Sequence, residues 1–306
     1  MRVTVIHNPT AGSEQPSRET IVGWFVAAGY EVEYASSKKK AYRRALEDPG
    51  DLVVVAGGDG TVAKVAKRLA GRDVPLAILP LGTSNNIAAT LGVGGSPREI
   101  IDGLATAERR RLDVGTASAP WDTSRFVESA GVGLFAALLE DAERTAESRG
   151  ENESGDARLA SRIRGVQRVL DSHSSRFYRV EADGIDLSGR YLLVAAMNIR
   201  RIGSTLELAP GADAGDGSFD LVLLRDEDRQ TLGAYLEQLA DTAPERFPIV
   251  PRRVSVVSLG WNSSAGHLDD ERWPKKADAD GNTDREQPLV ELAIVDPPLT
   301  VLVAGQ

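Results

Sequence analysis

Over the first hundred residues, short runs of β-branched and apolar residues alternate with longer stretches whose apolar positions recur every three or four residues. This is the pattern of a parallel sheet covered by helices. The short runs predict strands at Arg2–His7, Glu31–Tyr34, Leu52–Ala56 and Leu76–Pro80. Between them Glu19–Ala28, Lys40–Glu47 and Val62–Leu69 carry helical spacing, and a fourth helix is expected after Asn85. From Arg111 onward the runs become short and alternating, predicting strands at Leu112–Thr116, Phe126–Ala130, Phe177–Ala182, Arg190–Met197, Phe219–Leu224, Val254–Leu259 and Leu289–Val295. Such spacing points to antiparallel structure. Glu140–Arg176 interrupts it with mixed charge and reads as helix, a polar loop around Gly150–Gly155, then helix. Gln230–Leu239 is a further helix, and Trp273–Gln287 an acidic loop containing Pro and Gly. The expected domains are 1–110 and 111–295, with a charged helical insertion at 140–176. The last strand, Leu299–Val303 within 296–306, is expected to return to the first domain.

A chain of 306 residues is long enough for two such domains, each with its own core. Its 42% hydrophobic and 26% charged residues form an ordinary globular balance. The net charge of -9 supplies no field for a phosphate backbone, which argues against a nucleic-acid partner and requires any anionic ligand to be held locally. Without cysteine there is no disulfide, thiolate metal site or catalytic thiol. Met1–Pro9 reads as a strand ending in a turn, not as the basic flank and apolar stretch of a signal peptide. The longest apolar runs, such as Tyr191–Met197, fall short of the roughly 18 to 20 residues that cross a bilayer. A cytoplasmic protein is expected, one that visits the membrane from the cytoplasm if its substrate is a lipid.

Three turns could carry chemistry, each just after a strand and before a helix, where open α/β sheets bind ligands. Gly57-Gly58-Asp59-Gly60-Thr61 packs three glycines and a carboxylate into one such turn. Glycine allows close backbone approach, helix N-terminal amides favour phosphate oxygens, and Asp59 could hold Mg²⁺ or a water beside them. The same string is equally a tight connection with Asp or Thr as helix N-cap. Leu79-Pro80-Leu81-Gly82-Thr83-Ser84-Asn85-Asn86 offers hydroxyl and amide groups at the next strand end. Asn8-Pro9-Thr10-Ala11-Gly12-Ser13 ends the first strand and, taken alone, is an ordinary turn.

In this order and spacing the three turns resemble the diacylglycerol kinase-like catalytic domain of bacterial lipid kinases, sphingosine kinases and ceramide kinases. That family shows an Asn-Pro-x-Ser/Ala-Gly turn, then Gly-Gly-Asp-Gly-Thr, then Pro-x-Gly-Thr-x-Asn-Asp. Further on, Asp213-Ala214-Gly215-Asp216-Gly217-Ser218-Phe219 is similar to the family's Asp-Gly turn, and Leu268-Asp269-Asp270-Glu271 to its Asp-Gly-Glu. The resemblance implies a Rossmann-like α/β domain followed by a β-sandwich-like domain, the architecture shared with NAD kinases, with the active site in the cleft between them. It implies ATP as phosphoryl donor, held by Asn8, Pro9, Thr10, Ala11, Gly12, Ser36, Gly57, Gly58, Asp59, Gly60, Thr61 and Thr83, with Asn85 and Asn86 beside them. Mg²⁺ would sit at the Asp-Gly turn on the Asp216 carboxylate and mainly backbone carbonyls of Asp213 and Ser218. Asp269 would accept the proton of a lipid hydroxyl as it attacks the γ-phosphate, with Glu271 supporting metal or base. The implied enzyme works on the inner face of the membrane as a peripheral protein, takes part in phospholipid metabolism, and is compatible with a homodimer.

Several positions depart from the family pattern. Ala63 and Lys64 replace Asn and Glu after Gly-Gly-Asp-Gly-Thr, Asn86 replaces an Asp, Asp270 replaces the glycine of Asp-Gly-Glu, and Lys40 stands where Gly is usual. They leave open whether Asp269 or Asp270 is the base. They also support a second reading, a nucleotide-binding regulatory protein that has lost its catalytic metal; a third keeps the kinase chemistry with a small polar acceptor. Lys38, Lys39, Lys40, Arg43 and Arg44 read as a solvated helix face, or, on the resemblance, as contacts to nucleotide phosphates or anionic lipid headgroups. Gly131-Val132-Gly133-Leu134-Phe135-Ala136 matches a loose dinucleotide fingerprint but lacks the acidic residue about 20 positions on at the end of a second strand. Leu134, Phe135, Leu138 and Leu139 have helical spacing and read as core rather than lipid tunnel. Neither a Gly-Lys-Ser/Thr loop nor a Gly-x-Ser-x-Gly elbow occurs, and His7, His173 and His267 are scattered.

Overall fold

The structure, a computed structural model, describes residues 1–12, 16–38, 40–145, 155–203, 206–241, 247–261, 266–274 and 288–305. Ser13, Lys39, residues 146–154 of the expected polar loop and residues 275–287 of the acidic stretch lie outside them. Two compact units emerge: Met1–Val114 with Asp213–Gly217 and Val295–Gln306, and Gly115–Ala212 with Ser218–Ile294. Among the described residues no helix is long and apolar enough to cross a membrane.

The first unit is a sheet built from β1 (Arg2–His7), β2 (Glu31–Ser36), β3 (Leu52–Gly57), β4 (Leu76–Pro80), β5 (Glu108–Leu112) and the last strand of the chain, β20 (Leu299–Val303). Its order is β2-β1-β3-β4-β20-β5, parallel except where β5 runs against β20. β3 is buried at every position, as its unbroken Leu-Val-Val-Val-Ala run requires of a central parallel strand, whereas β2 at the edge alternates. The helices are α1 (Arg18–Ala27), α2 (Ala41–Ala45), α3 (Asp59–Leu69), α4 (Asn86–Leu91) and α5 (Pro97–Gly103). Ile21 and Phe25 of α1 and Ile100 and Ile101 of α5 pack on the sheet face formed by Val3, Val5, Leu52, Val54, Ala77 and Leu79. α3 packs on β3 and buries Val62, Val65, Ala66 and Leu69, the i, i+3, i+4, i+7 stripe. α5 lay beyond the sequence expectation, although Ser96-Pro97-Arg98-Glu99 is a complete capping box with Pro at the first turn.

The second unit is antiparallel. One sheet runs β11 (Ile185–Asp186), β10 (Val180–Ala182), β16 (Val257–Gly260), β19 (Leu289–Ile294), β6 (Gly115–Ser118), β7 (Thr123–Phe126). The other runs β15 (Arg252–Val254), β14 (Phe219–Leu224), β13 (Leu193–Met197), β8 (Ser129–Gly133), β17 (Gly266–Leu268), β18 (Glu271–Arg272). A ribbon joins β9 (Arg176–Tyr178) and β12 (Gly189–Tyr191), and three helices follow, α6 (Leu134–Thr145), α7 (Gly155–Ser172) and α8 (Arg229–Asp241). The β13 sheet is buried on both faces. Val194 and Ala196 join Phe219, Leu221, Val257, Leu259, Val290 and Leu292 between the sheets, while Leu193, Ala195 and Met197 face a cluster with helix residues Leu134, Phe135, Ile163 and Leu236.

Five predicted strands are each two in the structure, their halves pairing in different sheets: β5 and β6, β7 and β8, β9 and β10, β12 and β13, β15 and β16. Alternation records burial along a strand, not which sheet supplies its neighbours, so a chain that bends from one layer to the next leaves the pattern intact. Gly131 of the dinucleotide-like string lies on β8, antiparallel to both β13 and β17, which is not the parallel unit that fingerprint needs. Trp273, expected to open a loop, is buried, its ring 5.3 Å from Trp261 and 5.5 Å from Trp121.

Two measurements test this packing. A Cβ at Gly266 would overlap the Trp261 indole ring, whereas one at Gly23, exposed in α1, meets nothing within 4 Å. Gly266→Ala is expected to lower urea stability by about 1–3 kcal/mol; Gly23→Ala should raise it by roughly 0.5–1 kcal/mol. Equal effects would refute the Gly266–Trp261 contact. His267 on β17 is fully buried, with Nε2 3.3 Å from Ser129 Oγ and its ring 4.8 Å from Phe135. Burial lowers its pKa to about 3, against a smaller opposing effect of the Gly131 backbone. The unfolded chain therefore takes up a proton near pH 6.5 that the folded chain refuses, and stability present above pH 6.5 is lost as pH falls toward 3. NMR should show the His267 ring neutral from pH 8 to 4; titration near 6.5 would contradict this.

Candidate functional site

In the order β2-β1-β3-β4 the connections leave β1 in opposite directions, which makes the carboxyl ends of β1 and β3 the switch point where open α/β sheets bind ligands. The turn after β1 is tied to β3 by the Asn8 N–H, which donates to the Ala56 carbonyl at 2.9 Å. Asn8 Oδ1 accepts from the Thr10 N–H (3.3 Å) and hydroxyl (3.1 Å), and Gly12 leaves the turn at φ 81°. Pro9 and Ala11 complete it, the Ala11 N–H donating to the Asn8 carbonyl. After β2, the Ser36 hydroxyl accepts from the Lys38 N–H at 3.2 Å, and the Ser37 N–H donates to His7.

The turns after β3 and β4 are pressed together. Gly57 pairs with Pro80, the Leu81 N–H donates to the Gly57 carbonyl, and a Cβ on Gly82 would lie 2.5 Å from the Gly58 Cα. Only two glycines allow this approach. Asn85, at φ 49°, closes the second turn on itself, Oδ1 accepting from the Gly82 N–H and Nδ2 donating to the Gly82 carbonyl, both at 2.8 Å. α3 starts at Asp59 with Gly58 as N-cap and no side-chain cap, so neither Asp59 nor Thr61 is the N-cap. Instead Asp59 Oδ1 accepts from the Ile87 N–H at 2.9 Å in the first turn of α4. Asn86 is buried there, Thr83 exposed, and Ala63 lies on the buried face of α3. Gly60, inside the first turn of α3, has open space around its Cα.

Beside these turns, within the first unit, is a cavity of about 660 Å³ lined by Asn8, Thr10, Ser37, Tyr42 and Thr61. Among the described residues its charged lining is Lys38, Lys40, Arg43 and Lys64, with no carboxylate. Lys38, Lys40 and Arg43 of the basic cluster, all exposed, thus also line a ligand-sized space, and Lys39 lies outside the described residues. Tyr42, missed in the sequence, stands below Arg68, whose guanidinium carbon is 5.6 Å from its ring centroid. Burial raises the Tyr42 pKa, but hydrogen bonds to Arg43 and Arg68 outweigh it and hold the phenol below its usual value.

The acidic turn contains a further residue that the sequence did not single out. Asp113, buried after β5, accepts from the Gly217 N–H at 2.8 Å, and its own N–H donates to Ala214 at 2.6 Å. Burial, together with the charges of Asp216 and Asp213, raises the Asp113 pKa despite the Gly217 hydrogen bond. Asp213 Oδ1 accepts from the Gly215 N–H, and Gly217 turns at φ 76°. Asp213–Gly217 belongs to the first unit and Ser218 to the second. Among the described residues no three His, Cys, Asp or Glu side chains converge as metal ligands. Burial is the larger cause of that rise, and the charges of Asp216 and Asp213 that add to it are what a cation would relieve; Mg²⁺ at this turn would be held by the Asp216 carboxylate and backbone carbonyl oxygens. The cationic cavity does not fit a metal held by protein carboxylates.

In the second unit Asp269 and Asp270 form the turn between β17 and β18, with Asp269 at φ 52° and 5% exposed. Asp269 Oδ1 accepts from the Val127 (2.8 Å) and Glu128 (2.7 Å) N–H groups, where the chain bends from β7 into β8. The Asp269 N–H donates to the Ser129 carbonyl. Asp270 and Glu271 are exposed. The structure thus gathers Asn8, Thr10 and Thr61 at one cavity, braces them with Gly58, Asp59, Gly82, Asn85 and Asn86, and leaves the Ser36 hydroxyl on a local turn with Ser37 in the lining.

The diacylglycerol kinase catalytic domain family matches residues 2–117, and the YegS C-terminal NAD kinase beta sandwich-like domain matches residues 150–302, half of the chain. A diacylglycerol kinase of Bacillus subtilis is 30% identical over 237 residues, covering 73% of this chain and 74% of its own length. The Pseudomonas fluorescens protein named "Probable lipid kinase YegS-like" is 28% identical over 205 residues, 65% of this chain and 64% of its own. A crystal structure of a diacylglycerol kinase from Bacillus anthracis shares the fold, with TM-score 0.69 at 20% identity over 99% of this chain and 96% of that one. With both family domains present in order and a 30% identical relative spanning most of its length, the chain belongs to the diacylglycerol kinase family and is a kinase.

Proposed function

We propose that this kinase transfers the γ-phosphoryl group of ATP to a hydroxyl of a lipid, diacylglycerol or a close relative. The observation that carries the nucleotide assignment is the cation-lined cavity at the β1–β3 switch point, where Asn8, Thr10 and Thr61 meet four positive side chains. Such a site suits a polyphosphate. The lipid acceptor rests on the names of the relatives, three of which are a lipid kinase or diacylglycerol kinases.

In this reading the first unit holds the nucleotide and the second supplies the base. The acceptor O–H attacks the γ-phosphorus, the bond to the bridging oxygen breaks, ADP leaves, and the proton passes to the Asp269 carboxylate. The two amides on Oδ1 fix that carboxylate at the β17–β18 turn, which restricts proton transfer to one orientation. Protein side chains need supply little beyond this, because phosphoryl transfer is driven by positioning and charge neutralisation. Mg²⁺, when bound, supplies part of that neutralisation. A lipid acceptor also places the enzyme at the cytoplasmic face of the membrane as a peripheral protein.

A second reading has its own support: with Oδ1 committed to two amides at 5% exposure, Asp269 could be purely structural, leaving a nucleotide-binding protein without turnover. ADP release from ATP and Mg²⁺, with diacylglycerol, phosphatidylglycerol, sphingoid base, ceramide and NAD as acceptors, separates the two. Lipid-dependent release is expected, falling at least about 100-fold in Asp269→Asn, the loss typical of a general base, and little changed in Asp270→Ala. The reverse ranking would move the base to Asp270. Measurable ATP binding without turnover on any acceptor would instead favour the second reading.

A further inference from the structure

Helix periodicity aims the charges of the cavity. Lys40 and Arg43 stand three residues apart at the start of α2, and Thr61 and Lys64 three apart in α3, so each helix presents one pair to the same space. Among the described residues of the lining no acid balances them. Asp59, in the adjoining turn, accepts the Ile87 amide, and the buried Asn86 contributes a neutral amide. Among the described residues of the lining, a metal carried on the nucleotide phosphates would therefore meet cations rather than carboxylates.

Resting on the nucleotide reading above, we propose that Lys64 and its neighbours make the cavity a site for the metal-free nucleotide polyanion, so that Mg²⁺ weakens ground-state nucleotide binding. Metal-free ATP is the more negative ligand, and bound Mg²⁺ cancels part of the charge that these side chains attract. Lys64, Lys40 and Arg43 are exposed, so the effect is moderate and falls with ionic strength. The metal requirement of the reaction then belongs to turnover, not to capture of the nucleotide.

Isothermal titration of the full chain with ATP, in EDTA and in saturating Mg²⁺ at matched ionic strength, tests this. The wild type should bind ATP roughly fivefold more tightly in EDTA, the scale of one or two exposed charge pairs. Lys64→Gln, at an exposed position with an unchanged thermal midpoint as control, should bring that ratio close to one. Tighter binding with Mg²⁺ overturns the inference and leaves the nucleotide reading standing, as does a ratio unmoved in both Lys64→Gln and Lys40→Gln. Absence of ATP binding in both conditions overturns the nucleotide reading and this inference together.

Discussion

The contact on which the first unit depends is the approach of Gly58 to Gly82, two backbones in touch at the ends of adjacent parallel strands. Parallel pairing of β3 and β4 carries both strands to the same edge, and both must then turn into helices within a few residues of each other. Side chains at either glycine would push the two helix starts apart. With the backbones in contact, the Asp59 carboxylate reaches the α4 amide and Asn85 adopts a left-handed conformation stabilised by its own side chain. Asp59 therefore serves as a strut between helices, and the cations lining the cavity come from Lys38 and Lys40 ahead of α2, Arg43 in α2 and Lys64 in the next turn of α3.

The second unit solves a different problem. Its β13 sheet has apolar residues on both faces and needs two covers, one supplied by the β16–β19 sheet and the other by α6, α7 and α8. To build two layers from short strands the chain bends repeatedly between them, and each bend leaves backbone amides without a ladder partner. At the bend from β7 to β8 those amides, Val127 and Glu128, are taken by Asp269, while Asn198 Nδ2 donates to the Val127 carbonyl. The proposed base is thus held by the same bonds that complete the sandwich, which makes its orientation a consequence of the fold.

How legible this was in the sequence follows from the range over which each signal acts. The parallel core of the first unit was readable because β3 is an uninterrupted β-branched run and α3 keeps its stripe. The doubled strands of the second unit were not, because alternation persists through a change of partner sheet. Gly58 and Gly82 could be seen as permissive turn residues, but their mutual contact depends on a register that one turn does not encode. Asp113 escaped notice for a similar reason: it lies 104 positions from Gly217, whose amide it accepts. The basic run around Lys40 was visible, yet only its convergence with Lys64 distinguishes a lined cavity from a solvated face.

Global charge was the least informative of these signals. A chain of net charge -9 repels polyanions at long range, so an anionic ligand is retained only where local cations outweigh the whole within about one screening length, roughly 8–10 Å. Among the described residues four cations lie around one cavity, the place where the proposed nucleotide would meet that requirement. Elsewhere many acids are paired or engaged by backbone amides: Asp141 takes Arg144 and Arg168, Glu99 the Ser96 amide, Asp183 the Ser255 and Val256 amides. If the proposed nucleotide binds there, cations gathered at one rim, with several acids engaged in the scaffold, are what would let an acidic protein hold a polyphosphate at that place.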